Sequence, residues 1–133
     1  MKYICLGYYD PKRVETMTED ERDAMSDEIY EYNDHLLTNG HSVSGEALQP
    51  SETALTLYWK SGKVATTDGL YAETKEQLGG FGVLEARGMN HAIQLMSLHS
   101  ALKYGMTWEI RPTFDMSEMI EASELRRRKS AER

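Results

Sequence analysis

The sequence is short of most of the residues that announce a function. Of 133 residues only one is cysteine, Cys5, so no internal disulfide can form and a reducing cytoplasm is the expected compartment. No run approaches the ~20 apolar residues of a membrane span. The opening "MKYICLGYYDPK" has no small-residue cleavage pattern, so neither a signal peptide nor a membrane partner is expected. Basic residues are outnumbered, 15 Lys and Arg against 22 Asp and Glu, giving a net charge of −7. A general nucleic-acid binder needs clustered cations to neutralise phosphates, and that class is set aside. There is no G-x-S-x-G, Walker or dinucleotide motif, no H-E-x-x-H and no Cys/His cluster, so no cofactor and no metal site is expected.

What is present is an ordinary globular composition, 40% hydrophobic and 28% charged, of a length that fits one domain and gains from dimerisation. "YICLGYY" (3–9) reads as a buried strand ended by Asp10-Pro11, with Cys5 as core filler rather than nucleophile. Thr18 and Glu21 fit a capping box opening a helix. Met25, Ile29, Tyr32 and Leu36 form its apolar stripe, and Asn39-Gly40 its stop. Strands are predicted at Val43–Leu48, at Thr53–Trp59, and at Lys63–Thr67 after a Ser61-Gly62 hairpin turn. A further strand follows Gly79-Gly80. A second helix is predicted over "HAIQLMSLHSALKYG" with Asn90 as cap, then a strand "MTWEIRPTF" and a short helix from Ser117.

The order β-α-β-β-β-β-α-β predicts an α+β, ferredoxin-like subunit: an antiparallel sheet with both helices on one face. Tyr58, Trp59, Phe81 and Trp108 would leave an apolar surface for a second subunit, so a face-to-face homodimer is expected. The domain is placed at 1–116, with a C-terminal helix and basic tail at 117–133. The last ten residues hold Arg126-Arg127-Arg128-Lys129 and Arg133 against Glu124 and Glu132, and leave about −10 on the rest of the chain. It reads either as a solvated helix end or as an arm for an acidic partner.

The stretch "TDGLYAETKEQLGGFGVLEARG" (67–88) closely resembles the signature of the YCII-related, DGPF-domain family, T-D-G-P-F-A-E-T-K-E-Q-L-G-G-F followed by an apolar strand and E-A-R. The similarity continues through "MNHAIQLM" and "TWEIRP" and covers the chain to about Phe114. The resemblance implies a dimeric α/β barrel of ferredoxin-like subunits in small bacterial cytoplasmic proteins. It implies a small-molecule-binding protein, with lyase- or isomerase-like chemistry in a few members of the wider superfamily. The alternative is a non-catalytic regulatory module with a protein partner, linked to extracytoplasmic-function sigma factors. Leu70 and Tyr71 replace the family's Pro and Phe. The wider group's His–Asp pair has no match either: the first helix carries Ile29 to Tyr32 in the corresponding region, and the second ends without an aspartate.

Candidate site residues follow from residue chemistry. His41, on a helix-to-strand loop, is a candidate general base, and Asp68, in an Asp-Gly turn, a candidate pocket carboxylate. Glu73, Lys75 and Glu76 make either a solvated loop or the ion-paired wall of a cleft holding an unknown small molecule. Arg87 and Arg111 are positioned to grip a carboxylate, or else to pair with nearby glutamates. The Gly79-Gly80-Phe81-Gly82 run, lacking a following helix, reads as a strand start or bulge.

Overall fold

The computed structural model describes residues 1–132. The elements are β1 (Lys2–Tyr9), α1 (Pro11–Glu15), α2 (Glu19–Thr38), β2 (Ser42–Ala47), β3 (Leu55–Lys60), β4 (Lys63–Asp68), β5 (Gln77–Glu85), α3 (Met89–Ser97), β6 (Thr107–Pro112) and α4 (Ser117–Ala131). Four strands form one antiparallel sheet in the order β2-β5-β1-β6, and β3 and β4 form a separate two-stranded hairpin. With that hairpin set aside, the strand order and the two helix connections are those of the expected ferredoxin-like subunit. The sheet does not close into a barrel within the chain, and β2 and β6 are its edges.

Each element has a local cause. The Thr18 hydroxyl accepts from the Glu21 amide at 3.1 Å and donates to the Glu21 carboxylate at 3.2 Å, opening α2. The predicted stripe faces inward, with Leu36 buried and Met25, Ile29 and Tyr32 half-buried. The β3–β4 hairpin turns through Ser61 and Gly62 at φ of 54° and 77°, the two left-handed residues of a type I′ turn. Asp10 accepts from the Lys12 amide and Pro11 takes the first helical turn, so the anticipated turn becomes the short α1.

β5 starts at Gln77 and takes in Gly79-Gly80, and other boundaries differ from expectation as well. Residues Ser51–Thr53 form a 3₁₀ turn, held by Thr53 donating to the Pro50 carbonyl, and push the start of β3 to Leu55. The second helix stops at Ser97 instead of running to Tyr104. His99 adopts an extended conformation, its Nδ1 accepts the Ala101 N–H at 3.1 Å, and a new 3₁₀ turn begins at Ser100. Gly88, not Asn90, is the N-cap of α3.

The core lies between the sheet and α2 and α3. It is built from Tyr3, Cys5, Leu36, Leu84, Ala92 and Met96. Tyr32 reaches across it to donate to the Leu95 carbonyl. The other face of the sheet carries Ile4, Leu6, Tyr8, Phe81 and Val83, matched across β1 and β5 in register. None of the described residues covers this face, and Phe81 is 37% exposed. Trp108 is not part of that surface as expected. It pairs with Gly7 and lies on the helix side, while Tyr58 and Trp59 sit on the separate hairpin.

Candidate functional site

The structure spreads the sequence-derived candidates along the sheet. His41 sits beyond the C-terminal end of α2, half-buried, with Nδ1 3.2 Å from the Glu85 carbonyl at the far end of β5. Its ring stands edge-on to His91 at 5.2 Å, and His91 Nδ1 accepts the Arg87 amide at 3.0 Å. Partial desolvation, then the charges of Arg87 and His41, lower the His91 pKa. Glu73, Lys75 and Glu76 precede the opposite end of β5 and are all exposed. Eight strand steps separate Gln77 from Glu85, about 26 Å at ~3.3 Å each, so His41 and this segment share no pocket. Lys75 instead approaches Asp10 at 3.9 Å, and the Thr74 hydroxyl donates to the Glu76 carbonyl. Asp68 is exposed at the end of β4, opposite Leu55 on the hairpin. Arg87 is exposed beside a surface depression at the start of α3. Arg111 is exposed on the uncovered sheet face, opposite Ile4. Among the described residues, no three His, Cys, Asp or Glu side chains converge as metal ligands. Among the described residues no helix is long and apolar enough to cross a membrane.

A cavity of about 440 Å³ lies elsewhere, between α2 and the helix-side face of the sheet. Its origin is compositional. The inward positions of β5 are Gly80 and Gly82, paired in register with Ala47 and Gly45 of β2 and with Gly7 and Cys5 of β1. These positions supply almost no side chain, so the helix layer rests on Tyr3 and Leu84 at one end of the sheet and leaves a gap over the other. Trp108 fills part of it. A Cβ on Gly7 would meet the indole at 2.9 Å, so the ring lies directly on bare backbone.

The polar groups of this cavity are specific. His99, on the turn after α3, is 5% exposed, and its Nε2 is 3.0 Å from Asn33 Oδ1 of α2. Because Nδ1 already accepts from Ala101, the proton belongs on Nε2, which donates to Asn33. Burial pushes the His99 pKa down to about 4 and keeps the ring neutral. Trp108 stacks edge-on against His99 at 4.9 Å, and its buried indole N–H has no acceptor among the described residues. Glu46 lines the cavity with its backbone, since the register sets its side chain beside Phe81 on the other face; Asp34 stands exposed at the rim, and no lysine or arginine is part of the lining. Cys5, on the floor, is held as a thiol, since burial raises its pKa to about 11.

The arrangement therefore offers a flat aromatic wall, one unused buried donor, a carboxylate at the rim and a glycine floor. It offers no thiolate, and both nitrogens of His99 are already engaged. Residue chemistry alone passed over this site because its walls are made of residues without motifs. The available signal was the spacing Gly80-x-Gly82 within a strand, opposite Gly45-x-Ala47: alternate positions that leave one face of the sheet empty.

The family model of the YCII-related domain matches residues 1–117, which takes in the whole sheet, α2, α3 and the cavity. An uncharacterized protein of Rhizobium meliloti (strain 1021) is 26% identical over 113 residues, covering 84% of this chain and 91% of that protein. The match over residues 1–117 makes this chain a member of the YCII-related domain family.

Proposed function

We propose that this protein is a homodimeric small-molecule-binding protein whose ligand occupies the cavity between α2 and the glycine-lined sheet. The observation that carries the reading is the Trp108 indole N–H, buried without an acceptor beside a His99 whose orientation is fixed at both nitrogens. An unmade buried hydrogen bond costs on the order of 1–3 kcal/mol, and a ligand acceptor placed there recovers it. The lining sets the ligand class. No lysine or arginine lines the cavity to pair with an anion, so the ligand is neutral or cationic. A planar group fits against Trp108, and a carbonyl or ring nitrogen serves its N–H. Lyase- or isomerase-like proton transfer would draw on Asp34 at the rim, because His99 and Cys5 are not available as bases.

The test is a thermal-shift screen of neutral and cationic metabolites, since a ligand of the native state raises the melting temperature by mass action. Hits are repeated on Gly82→Val. A Cβ at Gly82 meets only the Ser44 carbonyl, at 3.9 Å, so the variant folds while its side chain projects into the cavity. Loss of the shift in that variant supports the site. An unchanged shift, or hits confined to anions, overturns it.

A further inference from the structure

Helix α4 lies outside the span of the family match, which ends at residue 117, and none of its residues is buried. A lone fifteen-residue helix is marginal in water and takes its stability from packing. Its first half exposes Met119 and Ile120, at 57% and 49%, next to Met116 at 50%. Its second half carries Arg126, Arg127, Arg128 and Lys129, none of them in an ion pair among the described residues. The outer face of α2 has the complementary pattern. Asp20, Asp23, Asp27, Tyr30, Asp34 and Leu37 follow at spacings of three and four, on the side away from the buried stripe, and all are exposed, Asp34 and Leu37 at the rim of the cavity. The acids dominate the start of that face. The large apolar residues Tyr30 and Leu37, at 65% and 63%, stand in its second half.

From these patterns we infer that α4 docks antiparallel along α2 of a second copy of this chain. Antiparallel alignment sets Ile120 beside Tyr30 and Arg127 beside Asp23, both pairs seven residues apart on their own helix. Apolar Ile120 then meets apolar Tyr30 and cationic Arg127 meets anionic Asp23, with Ser123 beside Asp27 between them. The opposite direction would set arginines against Tyr30 and Leu37. The chain's own α2 is out of reach in this alignment. Ser42, Leu84, Tyr3 and Pro112 are matched across the four strands, so the end of β6 lies three strand spacings from the end of α2, roughly 14 Å at ~4.8 Å each. Thr113 is tied to the Lys2 carbonyl through its amide and hydroxyl, leaving only residues 114–116 before α4; the four steps from Thr113 to Ser117 span at most about 14 Å, used up along the sheet before the chain climbs to the helix layer. Helix α3, packed over β6, stands in the way as well. A second copy whose β2 edge lies beside β6 presents its α2 within reach. Two-fold symmetry then uses both helices of both chains.

The inference rests on the homodimer proposed above and not on the cavity. Its test is a pair of full-length chains of different size, one Asp23→Cys and one Arg127→Cys, co-expressed and mildly oxidised. Cys5 is 2% exposed and stays out of the reaction. The expected product is a disulfide-linked mixed dimer. A second pair, Tyr30→Cys with Ile120→Cys, links likewise. In that pair Arg126→Glu with Arg127→Glu lowers the yield about tenfold, and Asp23→Lys with Asp27→Lys on the other chain restores it. A chain carrying both Asp23→Cys and Arg127→Cys that closes on itself at monomer mass overturns the inference in favour of the chain's own α2. Absence of any linkage in chains that sediment as dimers overturns the helix exchange alone. Chains that sediment as monomers throughout overturn the exchange and the homodimer together.

Discussion

His99 Nε2 donates to Asn33 Oδ1 at 3.0 Å, joining the turn after α3 to the middle of α2 across the edge of the cavity. The bond requires a neutral ring, because a proton on Nδ1 would face the Ala101 N–H that now donates to it. In the fold His99 takes its second proton only at about pH 4, against 6.5 for the free side chain. Between those values the unfolded chain holds the extra proton, so stability falls as pH is lowered through that window, by at most ~1.4 kcal/mol per unit. Urea melts between pH 7 and 4.5 should show this slope, and His99→Gln should flatten it. His91 is shifted in the same direction and leaves a residual slope in the variant. A slope unchanged in His99→Gln would remove His99 from this role.

Gly7 and Trp108 are held to each other just as closely. A methyl at position 7 meets the indole at 2.9 and 3.1 Å, and the ring must tilt toward the cavity. Gly7→Ala should destabilise by ~1–3 kcal/mol as an overpacking change. In a Trp59→Phe background, where Trp108 is the one tryptophan, it should also shift the emission maximum. Wild-type stability and emission would show that the ring has room to spare.

The ferredoxin-like subunit was readable from the sequence because its signals are local. The α2 stripe recurs at helical spacing, Thr18 and Glu21 cap it, and Ser61-Gly62 marks a hairpin. The end of α3 was not readable, because the cap that stops it is the ring of His99, a residue with no strong capping preference. The separation of β3 and β4 from the main sheet was also hidden, since strand propensity does not say which strand is the partner. For the site, the motif-bearing residues His41 and Glu73 to Glu76 drew attention but flank opposite ends of β5. The cavity comes from absent side chains at Gly80, Gly82 and Gly45, and an absence has no motif. His99 was visible only as one helical histidine among several; its partner Asn33 lies 66 residues away.

Cys5 should be inert in the native protein. It is 2% exposed, and burial lifts its pKa to about 11, so the thiolate that reacts is scarce at neutral pH. A colorimetric thiol reagent at pH 8 should label less than a tenth of the chains in buffer and all of them in denaturant. Fast labelling of the folded protein would mean that the cavity floor is open to solvent, and a ligand that protects Cys5 would then mark its own position.

Leu6 on β1 faces Phe81 on β5 across the uncovered side of the sheet, with Ile4 and Val83 as the next pair. A contiguous apolar face of this kind is rare on a monomer and is the surface a homodimer would bury. A single charge at its centre costs the dimer much and the subunit little, because Phe81 is already 37% exposed in the isolated chain. Phe81→Glu should convert a species of twice the chain mass into one of chain mass at micromolar concentration. Its circular dichroism should stay that of the wild type. Leu57→Glu is the control: Leu57 is 64% exposed on the separate hairpin, away from this face, and the change should leave the mass doubled. Sedimentation equilibrium of the three proteins checks both expectations. A Phe81→Glu chain that remains dimeric would move the subunit contact off the sheet, whereas a Leu57→Glu chain that dissociates would place it on the hairpin.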